Sequence, residues 1–326
     1  MATHFESMLR TQLATRREKL EVAITSSPDT SYLAGLLHEV DSALSRMETG
    51  TFGLCETCHE PIEGDRLAAD PLARFCLDHL TPLQQRALEQ DLQLAAKIQA
   101  ALLPRNDLVQ GGWQAAYHYE PAGPVSGDYC DFVPAGDGSL YFMLGDVSGK
   151  GVAASMLMAH LHAMFRALSG VGLPLEELVE RASRVFCEST LASQFATLVC
   201  GRASQNGDLE LCNAGHLPPL LVRRRRVTSI EATGLPLGVF CGERFAVERT
   251  HLDRGDFLAL FTDGLSESQN RSGDEFGTQP LIDLAGMRRS GSARDLIRSC
   301  VENAAAFRSG IPNRDDLTLM VIDRIE

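Results

Sequence analysis

The chain has 326 residues, of which 44% are hydrophobic and 22% charged, so it is long enough for two domains, or for one large domain with an appendage. Its formal net charge of −13 argues against a nucleic-acid-binding surface, because such surfaces need clustered Lys and Arg to displace counterions from phosphates. We find no apolar run long enough to span a membrane and no apolar core of a signal peptide, so we expect a cytoplasmic protein with no membrane or nucleic-acid partner.

The first 50 residues predict a helical hairpin. Two segments rich in Leu, Ala, Arg and Glu are separated by the polar stretch TSSPD at residues 25–29. Pro, Asp and Ser interrupt helices and favour turns, so each flanking segment should form one helix.

After this hairpin, two pairs of metal-ligating residues occur at the spacing of a structural zinc site. Cys55 and Cys58 enclose two residues, and after seventeen more residues Cys76 and His79 enclose another two. Each pair can bind one edge of a tetrahedron, and three thiolates with one imidazole fill all four positions. Because no position is left open for water, we expect one structural Zn²⁺.

The other six cysteines are scattered through apolar segments. This distribution is typical of reduced cysteines that pack as small hydrophobic side chains, and not of a disulfide framework. The prediction applies to Cys130, Cys187, Cys200, Cys212, Cys241 and Cys300.

A further helix is predicted from about residue 82 to 103. Thr81, Pro82 and Gln84 have the pattern of a capping box with Pro at the first helical position, and Pro104 ends the segment. The four-three spacing of a coiled-coil seam continues for about two heptads. The seam allows a homodimer through this helix; the alternative is a helix that packs on its own catalytic domain. The seam positions are Leu88, Leu92, Ala95, Gln99 and Leu102.

Beyond residue 108 the pattern changes to short apolar runs rich in β-forming residues. Strands in runs of two or more, interrupted by paired helices, favour an α+β layered fold over a strictly alternating parallel sheet. The basic run at residues 223–226 predicts a solvated hairpin turn. The predicted strands are 113–119, 140–144, 195–200, 257–261 and 317–322, and the predicted helices are 151–168, 175–192 and 292–308.

Several aspartates lie at the ends of these apolar strands, each beside glycine or a second aspartate. Glycine permits sharp turns and a close backbone approach, so these carboxylates can converge on one edge of a sheet. Carboxylate and carbonyl oxygens without nearby His or Cys suit Mg²⁺ or Mn²⁺. The candidate residues are Asp128, Asp146, Asp263, Asp315 and Asp316.

The segment GTFGLCETCHEPI at residues 50–62, followed by Arg66-Leu67 and Phe75-Cys76, closely resembles the zinc finger of the DksA/TraR family. The resemblance covers about residues 1–80 and includes the preceding helical hairpin. The fourth ligand in that family is often Cys, so His79 is a chemically acceptable departure. Family members can bind RNA polymerase through the hairpin tip, but this hairpin is short and its turn carries only Asp29, so we do not transfer that activity.

Five ordered motifs resemble the RsbU/SpoIIE-type branch of the metal-dependent protein phosphatase (PPM) superfamily: SGDYCDF, GDVSGKGVAASMLMA, NAGHLPPLL, LFTDGLSESQN and DDLTLMVI. The match covers about residues 95–326, and AAKIQAALLP at its start resembles the linker that often precedes this domain. The resemblance implies a four-layer α-β-β-α sandwich, in which two antiparallel sheets are flanked by helices, with two Mn²⁺ or Mg²⁺ ions at one end.

By this resemblance, Asp146 would bridge both ions, and the Val147 carbonyl would bind one of them. Asp263 and Asp315 would complete the inner shell, and Asp128 would act directly or through water. Asp316 remains the alternative to Asp315, which we favour. We therefore expect the catalytic residues to be Asp146, Asp263 and Asp315. Lys150 stands where the family often has His, which leaves a general acid unassigned.

The resulting expectation is a metal-dependent phosphatase that hydrolyses phosphoserine or phosphothreonine on a regulatory protein, of the anti-anti-sigma type, under control of the zinc module. The expected domains are 1–80 (helical hairpin and zinc finger), 81–107 (linker helix) and 108–326 (phosphatase domain). Two alternatives are a non-enzymatic regulator and a transcription factor that binds RNA polymerase through the zinc module. Retention of every acidic motif position disfavours the first alternative.

Overall fold

The computed structural model describes residues 2–26, 31–80, 82–191, 193–224, 226–287 and 292–326. The chain divides into two compact units, Met1–Asp91 and Leu92–Glu326. Within the described ranges, no helix combines the length and the apolar character needed to cross a bilayer.

The first unit is a helical hairpin followed by a small metal-binding module. Helices α1 (Ala2–Ser26) and α2 (Ser31–Thr49) pack together, as the sequence predicts, and a short α3 (Gly64–Ala69) follows. Most of the predicted turn lies outside the described residues. The helices meet through side chains at three- and four-residue spacing, which is the spacing that places them on one helix face. These are Leu9 and Leu13 on α1, and Val40, Ala43 and Met47 on α2.

Helix α4 (Pro82–Leu102) matches the predicted helix within one residue. Thr81, the predicted N-cap, lies outside the described residues. Near the end of α4, the side chain of Gln99 is buried, whereas Leu88 near its start is 42% exposed.

The second unit contains two antiparallel sheets. All five predicted strands are confirmed, and the remaining strands lie between them or at sheet edges. The first sheet has the order β1 (Leu108–Gln110), β2 (Trp113–Glu120), β11 (Leu317–Arg324), β10 (Phe257–Phe261), β7 (Leu220–Arg223), β8 (Arg226–Ser229). The second has the order β3 (Asp128–Pro134), β4 (Leu140–Val147), β5 (Ala196–Ala203), β6 (Asp208–Ala214), β9 (Glu248–His251).

Helices cover the outer face of each sheet, which gives the predicted α-β-β-α order of layers. Helices α5 (Gly151–Ser169) and α6 (Leu175–Ser189) pack on the second sheet. The short α7 (Asp263–Ser266) follows β10, and α8 (Gln279–Met287) and α9 (Ala293–Arg308) pack on the first sheet. Large side chains such as Trp113, Phe142 and Met320 fill the space between the sheets. Central strands are therefore buried on both faces, which explains their continuous apolar runs.

The basic run forms a hairpin, as predicted: Arg223 at the end of β7 pairs with Arg226 at the start of β8. The prediction that all six scattered cysteines are reduced is wrong for two of them. Cys187, near the end of α6, forms a disulfide with Cys241, 54 residues later. The sequence carries no signal for this bond, because it depends on where the loop after β8 returns to α6.

Candidate functional site

The predicted acidic positions meet at one end of the two sheets. Asp128 begins β3 and pairs in register with Asp146 near the end of β4. Asp263 is the first residue of α7, two positions after the end of β10, and Asp315 precedes β11, which pairs with β10. Because both strand pairs are antiparallel, the end of one strand and the start of its partner lie at the same edge. The topology thus brings these carboxylates from four strands to one edge.

This edge holds an excess of negative charge. Burial, followed by repulsion from Asp263, Asp315 and Asp316, raises the pKa of Asp146 to about 7. Burial and repulsion from Asp315 also raise the pKa of Asp263. Like charges held together in a partly buried site favour protonation, or the binding of a cation. The cluster is therefore chemically suited to divalent metal ions with oxygen ligands.

The backbone at this edge also permits a close approach. Gly127 lies directly before Asp128, and a Cβ atom there would lie 3.1 Å from the Val147 carbonyl oxygen and 3.7 Å from Oδ1 of Asp146. The glycine therefore leaves the Val147 carbonyl and the Asp146 carboxylate accessible side by side, as a shared metal site requires.

The neighbouring aspartates 315 and 316 have different partners. Oδ2 of Asp315 accepts a hydrogen bond from Lys150 Nζ at 2.7 Å. Both oxygens of Asp316 instead accept from backbone N–H groups, those of Ala122 and Gly127, each at 2.8 Å. Asp316 thus holds the segment that leads into β3, and Asp315 faces the acidic cluster.

Lys150 places a positive charge beside the acidic cluster. Its side chain is 64% exposed, yet its Nζ contacts both Asp315 and the Arg314 carbonyl oxygen, the latter at 3.1 Å. The structure thus gives Lys150 an ion pair with a candidate metal ligand. Such an exposed pair contributes little to stability.

Asp128 lies deeper than the other aspartates of the acidic cluster, with 1% of its surface exposed. Its Oδ2 accepts hydrogen bonds from the hydroxyl groups of Thr262 and Thr318, at 2.9 and 2.5 Å. These threonines flank Asp263 and Asp315 in the first sheet, whereas Asp128 belongs to the second. Asp128 therefore ties the two sheets together below the cluster. Sequence analysis missed both threonines, although each lies within three residues of a predicted ligand.

The second aspartate of the SGDYCDF motif serves packing. Asp131 is fully buried and forms a two-point ion pair with Arg166 of α5, at 2.6 and 2.7 Å. It is directed away from the acidic edge and fixes α5 on β3.

His216 joins the two sheets close to the cluster. Its Nδ1 lies 2.8 Å from Thr197 Oγ1 on β5, and its Nε2 lies 3.1 Å from the Phe261 carbonyl oxygen at the end of β10. A carbonyl only accepts, so Nε2 carries the proton and Nδ1 accepts from the threonine hydroxyl. His216 is buried beneath the acidic residues and has a structural role there, because its two ring nitrogens contact one strand of each sheet.

We expect His216 to make stability depend on pH. Burial lowers the pKa of His216 to about 4, from an ordinary value of 6.5. His216 therefore binds a proton more readily in the unfolded chain than in the folded protein. The contribution of neutral His216 to folding stability is complete above pH 6.5 and is lost as the pH falls toward 4. The loss at pH 4 should be on the order of 3 kcal/mol. Urea unfolding of wild type and His216→Gln between pH 8 and pH 4 measures this loss; an equal dependence of stability on pH in the two proteins would contradict this assignment.

Gln99 connects helix α4 to the acidic edge. Its Nε2 donates to the Ser126 carbonyl oxygen at 2.7 Å, and its Oε1 accepts from the Ser126 N–H at 2.9 Å. Ser126 in turn accepts the Asp128 N–H through its hydroxyl group at 3.0 Å. This seam position therefore packs on the chain's own second unit. Of the two alternatives for the helix, a homodimer or packing on its own catalytic domain, Gln99 follows the second.

The predicted zinc ligands come together in the first unit. One ligand atom from each of Cys55, Cys58, Cys76 and His79 lies within 4.8 Å of the others. Cys76 Sγ is 3.8 Å from Cys58 Sγ and 3.2 Å from His79 Nδ1. A short 3-10 turn (Leu77–His79) directs the imidazole toward the thiols. The adjacent His59 is exposed, has a positive φ of 62° and lies outside this ligand group.

The charges of the three thiolates favour the binding of a metal cation by this ligand group. Burial raises the pKa of Cys55, but backbone N–H groups outweigh this effect and lower it to about 6. Burial and the neighbouring thiols raise the pKa of Cys76 to about 11. Three thiols this close cannot all ionise without a counter-charge, and sulfur and nitrogen donors in a tetrahedral set suit zinc. Among the described residues, no three aspartate oxygens converge this tightly.

Two family models match the chain. The model described as Stage II sporulation protein E (SpoIIE) matches residues 136–325. The model described as the prokaryotic dksA/traR C4-type zinc finger matches residues 50–78 and so ends one residue before His79.

Individual relatives cover most of this chain. Phosphoserine phosphatase RsbU from Bacillus subtilis is 27% identical over 74% of this chain and 72% of its own length. Protein IcfG from Synechocystis is 26% identical over 72% of this chain, which spans only 41% of IcfG. The crystal structure of the RsbU and RsbW domains of Rv1364c from Mycobacterium tuberculosis matches with a TM-score of 0.58 and 31% identity, over 68% of this chain and 63% of that one.

Proposed function

Because the chain belongs to the SpoIIE family, we propose that it is a metal-dependent phosphatase that hydrolyses phosphoserine or phosphothreonine on a protein. The observation that carries this proposal is the convergence of Asp146, Asp263 and Asp315 at one edge of the two sheets. The similarity to phosphoserine phosphatase RsbU supports the same reaction.

Two Mn²⁺ or Mg²⁺ ions fit the oxygen donors at this edge. In this proposal Asp146 would be shared by both ions, the Val147 carbonyl would be a ligand of one, and Asp263 and Asp315 would complete the set. When bound, such a pair activates water near neutral pH and neutralises the oxygens of a transferring phosphoryl group. Lys150 contacts Asp315 and offsets part of the negative charge of the metal-free site.

The remaining groups of the edge position these ligands. Asp316 fixes the segment before β3 through two backbone N–H groups. Asp128 and its two threonines keep the sheets in register beneath the ligands. Groups that are held by buried hydrogen bonds need little reorganisation during the reaction, which is the main protein contribution to phosphoryl transfer.

A cysteine nucleophile has no support in this unit. A thiol phosphatase needs a thiolate, and therefore a lowered thiol pKa. Burial instead raises the pKa of both Cys212 and Cys300 to about 12 and raises those of Cys130 and Cys200 well above the ordinary value. All four are buried core residues.

Substrate specificity is the direct test of the reaction class. With saturating Mn²⁺, the chain should release phosphate from phosphoserine and phosphothreonine proteins, including anti-anti-sigma-type regulators, and at most slowly from phosphotyrosine peptides. Phosphate release measured across such a panel checks this. Activity on phosphotyrosine alone, or on none of the substrates with full metal occupancy, would overturn the proposal.

We further propose that residues 1–80 form a regulatory module that acts on the phosphatase domain (108–326) through the linker at 81–107. The Gln99–Ser126 contact supports this role, because it joins α4 to the segment that carries Asp128. Leu92 and Ala95 are only half-buried, and Leu88 is exposed, so the first part of the seam is open to a second copy of the chain.

Charges placed on this seam should disturb the coupling. Leu92→Glu together with Ala95→Glu should dissociate a dimer or reduce turnover at saturating Mn²⁺ by roughly tenfold, an effect of about 1.4 kcal/mol. Mass in solution and phosphate release are the two measurements. Gln93→Glu, on the exposed side of the same turn, is the matched control. If mass and turnover both stay at wild-type values in the double variant, the seam has no part in regulation.

A further inference from the structure

A cleft in the first unit concentrates positive charge in an acidic chain. It has a volume of about 510 Å³ and lies between α2, α3 and the segment that leads to Cys76. Four of the eight Lys and Arg side chains in residues 1–91 line it: Arg16, Arg46, Arg66 and Arg74. Arginines usually lie on solvated surfaces. Four arginines around one cleft are not needed by the apolar core of the hairpin or by the zinc ligands.

Arg46 is a half-buried cation whose ion pair with Glu56 is long. Its side chain is 13% exposed, and its guanidinium lies 3.9 Å from Glu56 and 3.4 Å from the Ala73 carbonyl oxygen. Glu56 is engaged by Arg74, whose Nε donates to it at 2.6 Å. Burial lowers the pKa of Arg46. A half-buried charge with such long contacts is costly unless an anion is supplied.

Other groups of the cleft also indicate an excess of positive charge with free hydrogen-bond donors. Nε of Arg46 and Nε of Arg66 have no hydrogen-bond partner among the described residues. Two acidic residues also line the cleft, and one of them, Asp70, accepts the Leu72 N–H at 3.0 Å and so caps its own turn. The other, Glu39, adds to the electrostatic stabilisation of Arg74. The arginines outnumber these carboxylates.

We propose that this cleft binds a compact phosphate-bearing anion. Guanidinium groups recognise phosphate oxygens through paired hydrogen bonds, and a volume of about 510 Å³ is typical of small-molecule sites. A long acidic peptide fits less well, because Glu39 and Asp70 would repel its carboxylates. This inference concerns the first unit and goes beyond the proposed phosphatase activity.

Calorimetric titration with pyrophosphate tests the site in the full, zinc-loaded chain. The buffer is free of Mn²⁺ and Mg²⁺ and of constant ionic strength, so that the acidic edge of the second unit repels the probe. We expect a Kd below about 1 mM for wild type and at least tenfold weaker binding for Arg46→Met. Arg10→Met removes an exposed arginine of α1 outside the cleft and should bind as wild type. Zinc content is measured before and after each titration.

Thermal unfolding provides a second readout. Without the anion, Arg46→Met should be at least as stable as wild type, because it removes a poorly neutralised half-buried charge. Pyrophosphate should stabilise wild type and Arg10→Met, but not Arg46→Met. If Arg46→Met loses its zinc, Arg66→Met is used in its place with the same expectation. No saturable binding up to about 10 mM, an equal loss in Arg10→Met, or binding of a poly-glutamate peptide in preference to pyrophosphate would each overturn the proposal.

Discussion

Replacing Asp146 with Asn should lower turnover about a thousandfold while the protein remains folded. In the proposed centre this carboxylate binds both cations, so the loss of one charge weakens both sites at once. The barrier should rise by several kcal/mol, because the transferring phosphoryl group loses its electrostatic stabilisation. Phosphate release from a phosphoserine protein, titrated with Mn²⁺, measures the effect.

The same variant should not lose stability without metal. Repulsion from Asp263, Asp315 and Asp316 acts on Asp146, so a neutral side chain relieves strain in the metal-free protein. Its thermal midpoint as zinc-loaded protein free of Mn²⁺ and Mg²⁺ should equal or exceed that of wild type. Asp283→Asn, at an exposed position on α8, is the control and should change neither property. An Asp146→Asn protein with normal turnover would contradict the assignment of the bridging ligand.

Loss of zinc should unfold the zinc-binding segment of the first unit. Between residues 50 and 80, the buried core contains two of the ligands, Cys55 and Cys76, with only Ile62 and Leu67 as large apolar side chains. Because zinc binding to such modules supplies on the order of 10 kcal/mol, Cys76→Ser should release one zinc per chain and expose α2 and α3 to proteolysis.

Metal analysis and limited proteolysis measure this loss. His59→Asn is the matched control: residue 59 has a positive φ that Asn tolerates, and it lies outside the ligand set. This variant should retain its zinc and resist proteolysis as wild type does. Absence of zinc from wild type purified without chelator would show that the site is misassigned.

Much of the architecture could be predicted because it depends on local signals. Apolar runs predicted five strands within a few residues, and the Ser292–Asp295 capping box fixes the start of α9 near the predicted residue 292. Strand β3 was missed as an element, because its residues include Asp128, Tyr129 and Asp131 in place of a continuous apolar run. Short edge strands such as β9 have no such run and gain their structure from pairing.

The sequence predicted which residues line the candidate site, but not the groups to which they are hydrogen-bonded. The order of motifs identified the acidic positions, but sequence alone left Asp315 and Asp316 as alternatives. Their different hydrogen bonds depend on the segment before β3, which is nearly 190 residues away in the chain. The Thr262 and Thr318 contacts with Asp128 and the Cys187–Cys241 disulfide likewise join distant segments. None of these contacts leaves a periodic pattern in the sequence.

The central claim is that the acidic edge holds the cations that make the chain a phosphatase. The most direct measurement is phosphate release from a phosphoserine protein by the zinc-loaded chain dialysed free of Mn²⁺ and Mg²⁺, followed by stepwise addition of Mn²⁺ with parallel calorimetric counting of bound ions. We expect no turnover before Mn²⁺ is added, and full turnover when two Mn²⁺ are bound to wild type beyond the zinc. Turnover that persists in the zinc-loaded chain without Mn²⁺ or Mg²⁺, or that returns without Mn²⁺ binding, would contradict the account.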